Sequence, residues 1–214
     1  MENAAVKLVI GNKNYSSWSL RAALALELTG QPFEEIRIPL YQPDSRQKLL
    51  AHSPTGRVPV LVTEQGPVWD SLAIAEYLAE RFPEAGLWPL DTYARALARS
   101  ICAEMHSGFA ALRSQLPMDL KRDQALAGLG EDCRADIARV VAIWSDCRAR
   151  FGDGGPFLFG RASIADAFYA PVAARLKAYR VDLDGPAASY VKTIYAWPAF
   201  KRWHDAALLE RETL

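Results

Sequence analysis

The stretch "NYSSWSLRAALAL", residues 14–26, places three serines in four positions directly ahead of an apolar run. Leu20, Ala23, Leu24 and Leu28 recur at helical spacing between Ser19 and Thr29, and Gly30 follows as a stop. Upstream, "VKLVI" at residues 6–10 reads as a short strand. A strand-to-helix junction leaves backbone N–H groups unpaired at the positive end of the helix dipole, where an anion is stabilised. Serines there either satisfy local backbone groups or offer a hydroxyl to a bound charge. Ser19 is the expected N-cap, which leaves Ser16 and Ser17 in the loop with their hydroxyls free.

Further along, "FEEIRIPL" (33–40), "RVPVLVT" (57–63) and "GPVW" (66–69) read as three more strands, and "DSLAIAEYLAERF" (70–82) as an amphipathic helix. From Tyr93 onward only helical patterns occur, at about 92–116, 131–151, 163–180, 187–195 and 198–211. "PEAGLWPLD", with two prolines and a glycine, reads as the linker between the two regimes. The expected organisation is α+β: a β-α-β then β-β-α module over residues 1–82, a linker over 83–91, and an all-helical bundle over 92–214.

Bulk properties exclude several classes. Lys plus Arg and Asp plus Glu number 25 each, so net charge gives no reason to expect nucleic acid or an anionic membrane. The longest apolar runs are far too short to span a bilayer, and no secretory pattern follows Lys7. Cys102, Cys133 and Cys147 are odd in number and widely spaced, which argues against a disulfide framework or zinc site. They read as small semi-buried residues in a reducing cytoplasm, and no metal is expected. His52, His106 and His204 lie apart, and neither a phosphate loop nor a Gly-x-Ser-x-Gly motif occurs.

Two further motifs bear on chemistry. The Val58-Pro59 bond opening a strand is either an edge device or a cis bend. A cis bend would turn the Val58 N–H and C=O away from the ladder, open to an extended peptide. Asp70-Ser71 ahead of an apolar helix is either an N-cap pair or a carboxylate and hydroxyl that hold the α-amino acid end of a ligand.

Together the serine cluster, Val58-Pro59 and Asp70-Ser71 resemble the glutathione site of a glutathione S-transferase, over essentially the whole chain. The branch it looks most like is the bacterial, zeta-type one with a Ser-Ser-Cys-Ser motif, matched here by Ser16, Ser17, Trp18 and Ser19, followed by Arg21. "FLFGRASIADAFYAPV" is similar to the family's buried capping box, with Ser163 and Asp166 capping each other.

The resemblance implies a thioredoxin-like first module and glutathione as substrate or cofactor. Ser16 or Ser17 would be the catalytic hydroxyl that holds the thiol as a thiolate, with Tyr15 as a third candidate. Val58 and Pro59 would meet the cysteinyl residue, Asp70 and Ser71 the γ-glutamyl end, and Arg46, Lys48, His52 or Arg57 the glycyl carboxylate. Trp18 would flank the glutathione. The second substrate would lie against Tyr15, Met105, His106, Phe109 and Arg113. A homodimer is implied, and cytoplasmic location is expected.

A lone serine suffices energetically. Bringing a thiol from a pKa of about 8.5 to mostly thiolate at neutral pH takes roughly 2 units, or about 2.7 kcal/mol. One hydrogen bond to a charged group contributes about 1.5–3 kcal/mol and a helix N-terminus about 0.3–1 kcal/mol. The expected activity is conjugation to a small electrophile, or peroxide reduction. The alternatives are a maleylacetoacetate-type cis–trans isomerase and a non-catalytic binding or stress-response protein on the same fold. Trp18, standing where the zeta-type motif has cysteine, weighs against isomerisation and suggests a more apolar pocket.

Overall fold

The computed structural model describes residues 6–213; residues 1–5 and 214, included in the two expected modules, lie outside the described residues. Strands β1 (Val6–Ile10), β2 (Phe33–Arg37), β3 (Val60–Thr63) and β4 (Gly66–Trp69) form one sheet in the order β2-β1-β3-β4. β1 and β2 are parallel, while β3 runs antiparallel to β1 and β4 to β3. This is the thioredoxin-like arrangement.

Side chains alternate across the pleat, so the two faces of β1 serve different cores. Leu8 and Ile10 join Leu61, the apolar stripe of α1 (Ser17–Glu27) and Ile74 and Leu78 of α3 (Ser71–Arg81). Val9 and Val60 face the other way, toward Ile38 and Leu49. Leu49 comes from α2 (Ser45–Leu50), a helix the sequence reading leaves as connecting chain. Six residues give too short a window for a period, and Leu49 is the one apolar residue α2 buries.

The second half contains α4 (Thr92–Ser107), α5 (Ala110–Gln115), α6 (Glu131–Phe151), α7 (Ile164–Ala178), α8 (Gly185–Ala196) and α9 (Pro198–Leu208). The helix expected over 92–116 is broken. Gly108 is extended and Phe109 adopts φ +56°, a left-handed turn that restarts the chain in a new direction. A Cβ at Gly108 would sit 2.8 Å from the Glu104 carbonyl oxygen, so the break needs glycine there.

Nearly every residue of α7 is buried, and it packs against α1, α4 and α8. Its start is the expected capping box. Asp166 accepts from Ser163 N (2.9 Å), Ser163 Oγ (3.0 Å), Leu158 N (3.1 Å) and Tyr190 Oη (2.9 Å). Burial pushes its carboxyl up to about 6, against the pull of those four donors. The three cysteines are free thiols, fully buried rather than semi-buried. Among the described residues no helix is long and apolar enough to cross a membrane.

Candidate active site

Two cavities of about 540 and 680 Å³ meet at a shared wall of Trp18, Arg57 and Val58. The first runs from Tyr15, Ser16 and Ser17 across to Arg46 of α2; the second is closed by Asp70, Ser71, His106 and Arg113.

The serine cluster is arranged differently from the sequence expectation. Helix α1 begins at Ser17, so Ser16 and not Ser19 is the N-cap residue. The Ser16 side chain makes no capping bond; its Oγ donates instead to Ser19 Oγ at 2.8 Å. Ser19 Oγ in turn accepts from Gly11 N at 3.0 Å, which ties it to the end of β1. The mouth of α1 thus keeps its first-turn N–H groups free of a side-chain cap, beneath a hydroxyl oriented from behind. Ser17 Oγ has another partner, accepting from Arg175 Nη2 of α7 at 3.2 Å.

Val58-Pro59 is cis. The ladder of β3 starts at Val60, opposite Val9 and Trp69, so the Val58 backbone precedes the paired part of the strand. Asp70 is the expected N-cap of α3 and keeps its second oxygen toward the cavity. Its Oδ1 caps α3 by accepting from Leu72 N (2.8 Å) and Ala73 N (3.4 Å), and its Oδ2 faces His106 Nε2 at 3.3 Å. Asp70 holds φ +75°, ψ +132°, a region costing a non-glycine residue of order 1–3 kcal/mol. Beside it, Ser71 Oγ is buried without a partner. An orphaned hydroxyl and backbone strain at one helix mouth mark a place shaped for something other than folding.

Trp18 lies between two cations. The Arg21 guanidinium sits 4.4 Å and that of Arg113 4.7 Å from the indole centroid, while His106 meets the ring edge-on at 5.2 Å. The wall expected to be apolar is therefore basic. Arg113 Nη1 also donates to the carbonyls of Met105 and His106 (3.2 Å each), closing the end of α4. Arg21 is almost fully buried, its Nε and Nη1 unpartnered. Burial, then Arg113 and Arg175, push its pKa down to about 9; burial and Arg113 push Arg175 down to about 10. Burial lowers the His106 pKa, partly offset by Asp70, which favours the neutral imidazole, and its Nε2 lies 3.3 Å from that carboxylate.

A glutathione S-transferase N-terminal domain model matches residues 15–81 and a glutathione S-transferase C-terminal domain model matches residues 90–206. The chain belongs to the glutathione S-transferase family. A maleylacetoacetate isomerase of Pseudomonas aeruginosa is 28% identical over 212 residues, covering 94% of this chain and 91% of its own. One from Rattus norvegicus is 30% identical over 199 residues, 88% of each chain. Among solved structures, a Burkholderia glutathione transferase homolog with bound glutathione superposes at TM-score 0.71, with 25% identity over 95% of this chain and 98% of that one.

Against this family frame, several sequence-predicted residues stand elsewhere. Met105, on the buried face of α4, and Phe109, at the α4–α5 break, are expected in the second-substrate pocket but lie in the core. Tyr15 lines the first cavity and not the second, its ring stacked on Tyr41 at 5.9 Å. Its phenol pKa is raised by burial, then by Glu212 and Glu210, which keeps it protonated. Arg46 and Leu49 share the cavity face of α2, so Lys48 points away and pairs with Asp44 at 2.6 Å. His52 lines neither cavity. Sequence reasoning passed over Arg21 and Arg175 as site residues. Their signal is an arginine inside a largely apolar helical run, "SLRAALAL" and "PVAARL".

Proposed function

We propose that this chain is a glutathione-dependent enzyme that isomerises an acidic, maleyl-type compound about its double bond and returns glutathione unchanged. The observation that carries the reading is the charge of the cleft: Arg113 lines it, Arg21 and Arg175 stand behind it, and among the described residues none of the three forms an ion pair with a carboxylate. A buried cation without a counter-ion is costly unless a ligand provides one. The isomerase names of the relatives support this over conjugation, and the basic wall around Trp18 removes the argument for an apolar pocket.

Glutathione fits the residues present, since Ser71 Oγ is an orphan at a helix mouth and Asp70 Oδ2 is free of capping duty. Bound there, it supplies a thiolate that adds to, and leaves, an electrophilic carbon. Asp70 would hold the ammonium, Ser71 with the α3 N–H groups the γ-glutamyl carboxylate, the Val58 backbone the peptide, and Arg46 and Arg57 the glycyl carboxylate. Ser16 would donate a hydrogen bond to the thiolate, and Ser19, reversing the bond between them, would donate one to Ser16 Oγ. Arg113 would take a carboxylate of the co-substrate, and His106 would stay neutral beside it.

The deciding experiment follows a cis-configured maleyl acid and glutathione together by proton NMR with the purified chain. The expected outcome is conversion to the trans acid at constant glutathione. Glutathione consumed in step with the acceptor would replace the proposal with a transferase, and glutathione bound with neither change would replace it with a binding protein. Arg113→Gln is expected to raise KM for the diacid about 30-fold, the ~2 kcal/mol of a hydrogen bond to a charged group. For a neutral electrophile the same variant is expected within about twofold of wild type; equal losses for both would assign Arg113 to the α4 terminus alone.

A further inference from the structure

The loop that presents Ser16 is held from the far end of the sequence. Lys13 N donates to Glu210 Oε1 at 2.8 Å and Asn14 N to Glu210 Oε2 at 3.0 Å, so one carboxylate spans two consecutive backbone N–H groups. Such a pair of N–H groups is an anion-binding nest, and bonds to a carboxylate are roughly twice as strong as neutral ones. The Glu210 side chain is only 7% exposed.

The segment carrying Glu210, just after α9, is itself secured. Lys121 Nζ donates to the Glu210 carbonyl, and Arg37 Nη1 lies 3.5 Å from its Oε1 and 3.1 Å from Glu212 Oε1. Neighbouring groups close the remaining sides of the loop. Trp203 Nε1 donates to the Lys13 carbonyl (2.9 Å), Leu120 N to the Asn14 carbonyl (3.2 Å) and Lys121 N to Asn14 Oδ1 (3.2 Å). Within the loop, Ser16 N donates to Asn12 O at 2.9 Å, so the position of residues 13 and 14 sets where Ser16 sits.

We propose that Glu210 is a positioning residue for the thiol-activating hydroxyl: its carboxylate fixes the Lys13–Asn14 turn and thereby the aim of Ser16 into the cleft. This rests on the reading that Ser16 stabilises the glutathione thiolate. Glu210 touches no reacting atom; its effect is on the geometry of a group that does, where a displacement of about 1 Å can cost about a hundredfold in rate.

The test compares wild type, Glu210→Gln, Glu210→Ala and Ser16→Ala. Two quantities are read: the ionisation of the bound glutathione thiol by its ultraviolet thiolate absorbance, and amide hydrogen exchange of residues 11–16 in the unliganded chain. Glu210→Ala is expected to lose about tenfold in thiolate at neutral pH, one unit of thiol pKa, with faster exchange in that segment. Glu210→Gln keeps the packing and one acceptor oxygen, but sets an NH2 against the second N–H, and is expected between the two. It carries the test if the alanine variant does not fold. KM for glutathione is expected to stay within about twofold, with the loss in kcat.

Unchanged thiol ionisation in both Glu210 variants, where Ser16→Ala raises the thiol pKa, overturns the positioning role and leaves the serine reading standing. Unchanged exchange in residues 11–16 overturns it as well. If Ser16→Ala itself leaves the thiol unaffected, the serine reading fails, and the positioning role with it, whatever Glu210 does to exchange.

Discussion

Replacing Ser16 with alanine is expected to return the bound thiol toward its free pKa of about 8.5 and to slow turnover about a hundredfold, the usual loss for one preorganised donor. Replacing Ser17 is expected to behave otherwise. Its hydroxyl is the acceptor for a buried guanidinium, so Ser17→Ala strands an Arg175 N–H and lowers stability by about 1–3 kcal/mol. Thiol ionisation in that variant is expected to stay near wild type. Ultraviolet titration of bound glutathione and urea unfolding of both variants separate the two roles. A large thiol shift in Ser17→Ala with none in Ser16→Ala would exchange the assignments. The distinction follows from partners and not from order in the chain: Ser16 is backed by another hydroxyl that can reverse its bond, whereas Ser17 is committed to an arginine.

The second large effect concerns folding. Asp166→Ala removes the acceptor of four donors at once, namely the Ser163 and Leu158 amides and the Ser163 and Tyr190 hydroxyls, all at the start of the most buried helix. Stranding buried donors of a charged acceptor costs about 3–5 kcal/mol, a large share of a typical total of about 5–15 kcal/mol. Chemical denaturation is expected to show a midpoint lowered by that amount, with Asp166→Asn intermediate because its amide oxygen keeps some of the acceptors. A loss under about 1 kcal/mol in the alanine variant would mean that ordered water replaces the carboxylate.

Much of this architecture was legible because it rests on local periodicity. The short apolar strand "VKLVI", the helical spacing after Ser19 and the box at Ser163 and Asp166 each appear in a short window, and each forms. Failures fall where the deciding contact is distant or the backbone departs from a repeat. Ser19 reads as the cap because any of three serines can serve, yet the helix starts two residues earlier and the Ser19 hydroxyl is engaged by Gly11 N and Ser16 Oγ. The break at Phe109 depends on a positive φ that phenylalanine does not advertise. Val58, Asp70 and Ser71, which line the second cavity, are signalled in the sequence by the neighbouring proline and helix start. Arg175 and Glu210 are not, since each reaches the serine loop from more than 150 residues away.

That reach has a practical corollary for anyone building chimeras. The Lys13–Ser17 stretch belongs to the first module by sequence, yet it is pinned by Leu120, Lys121, Arg175, Trp203 and Glu210 of the second. A graft of the sheet module onto a foreign helical half, spliced at residues 83–91, would carry the cavity-lining Ser16, Val58, Asp70 and Ser71 without those supports. Such a hybrid would retain the recognition surface and forfeit the alignment, so the interchangeable unit here is the whole chain.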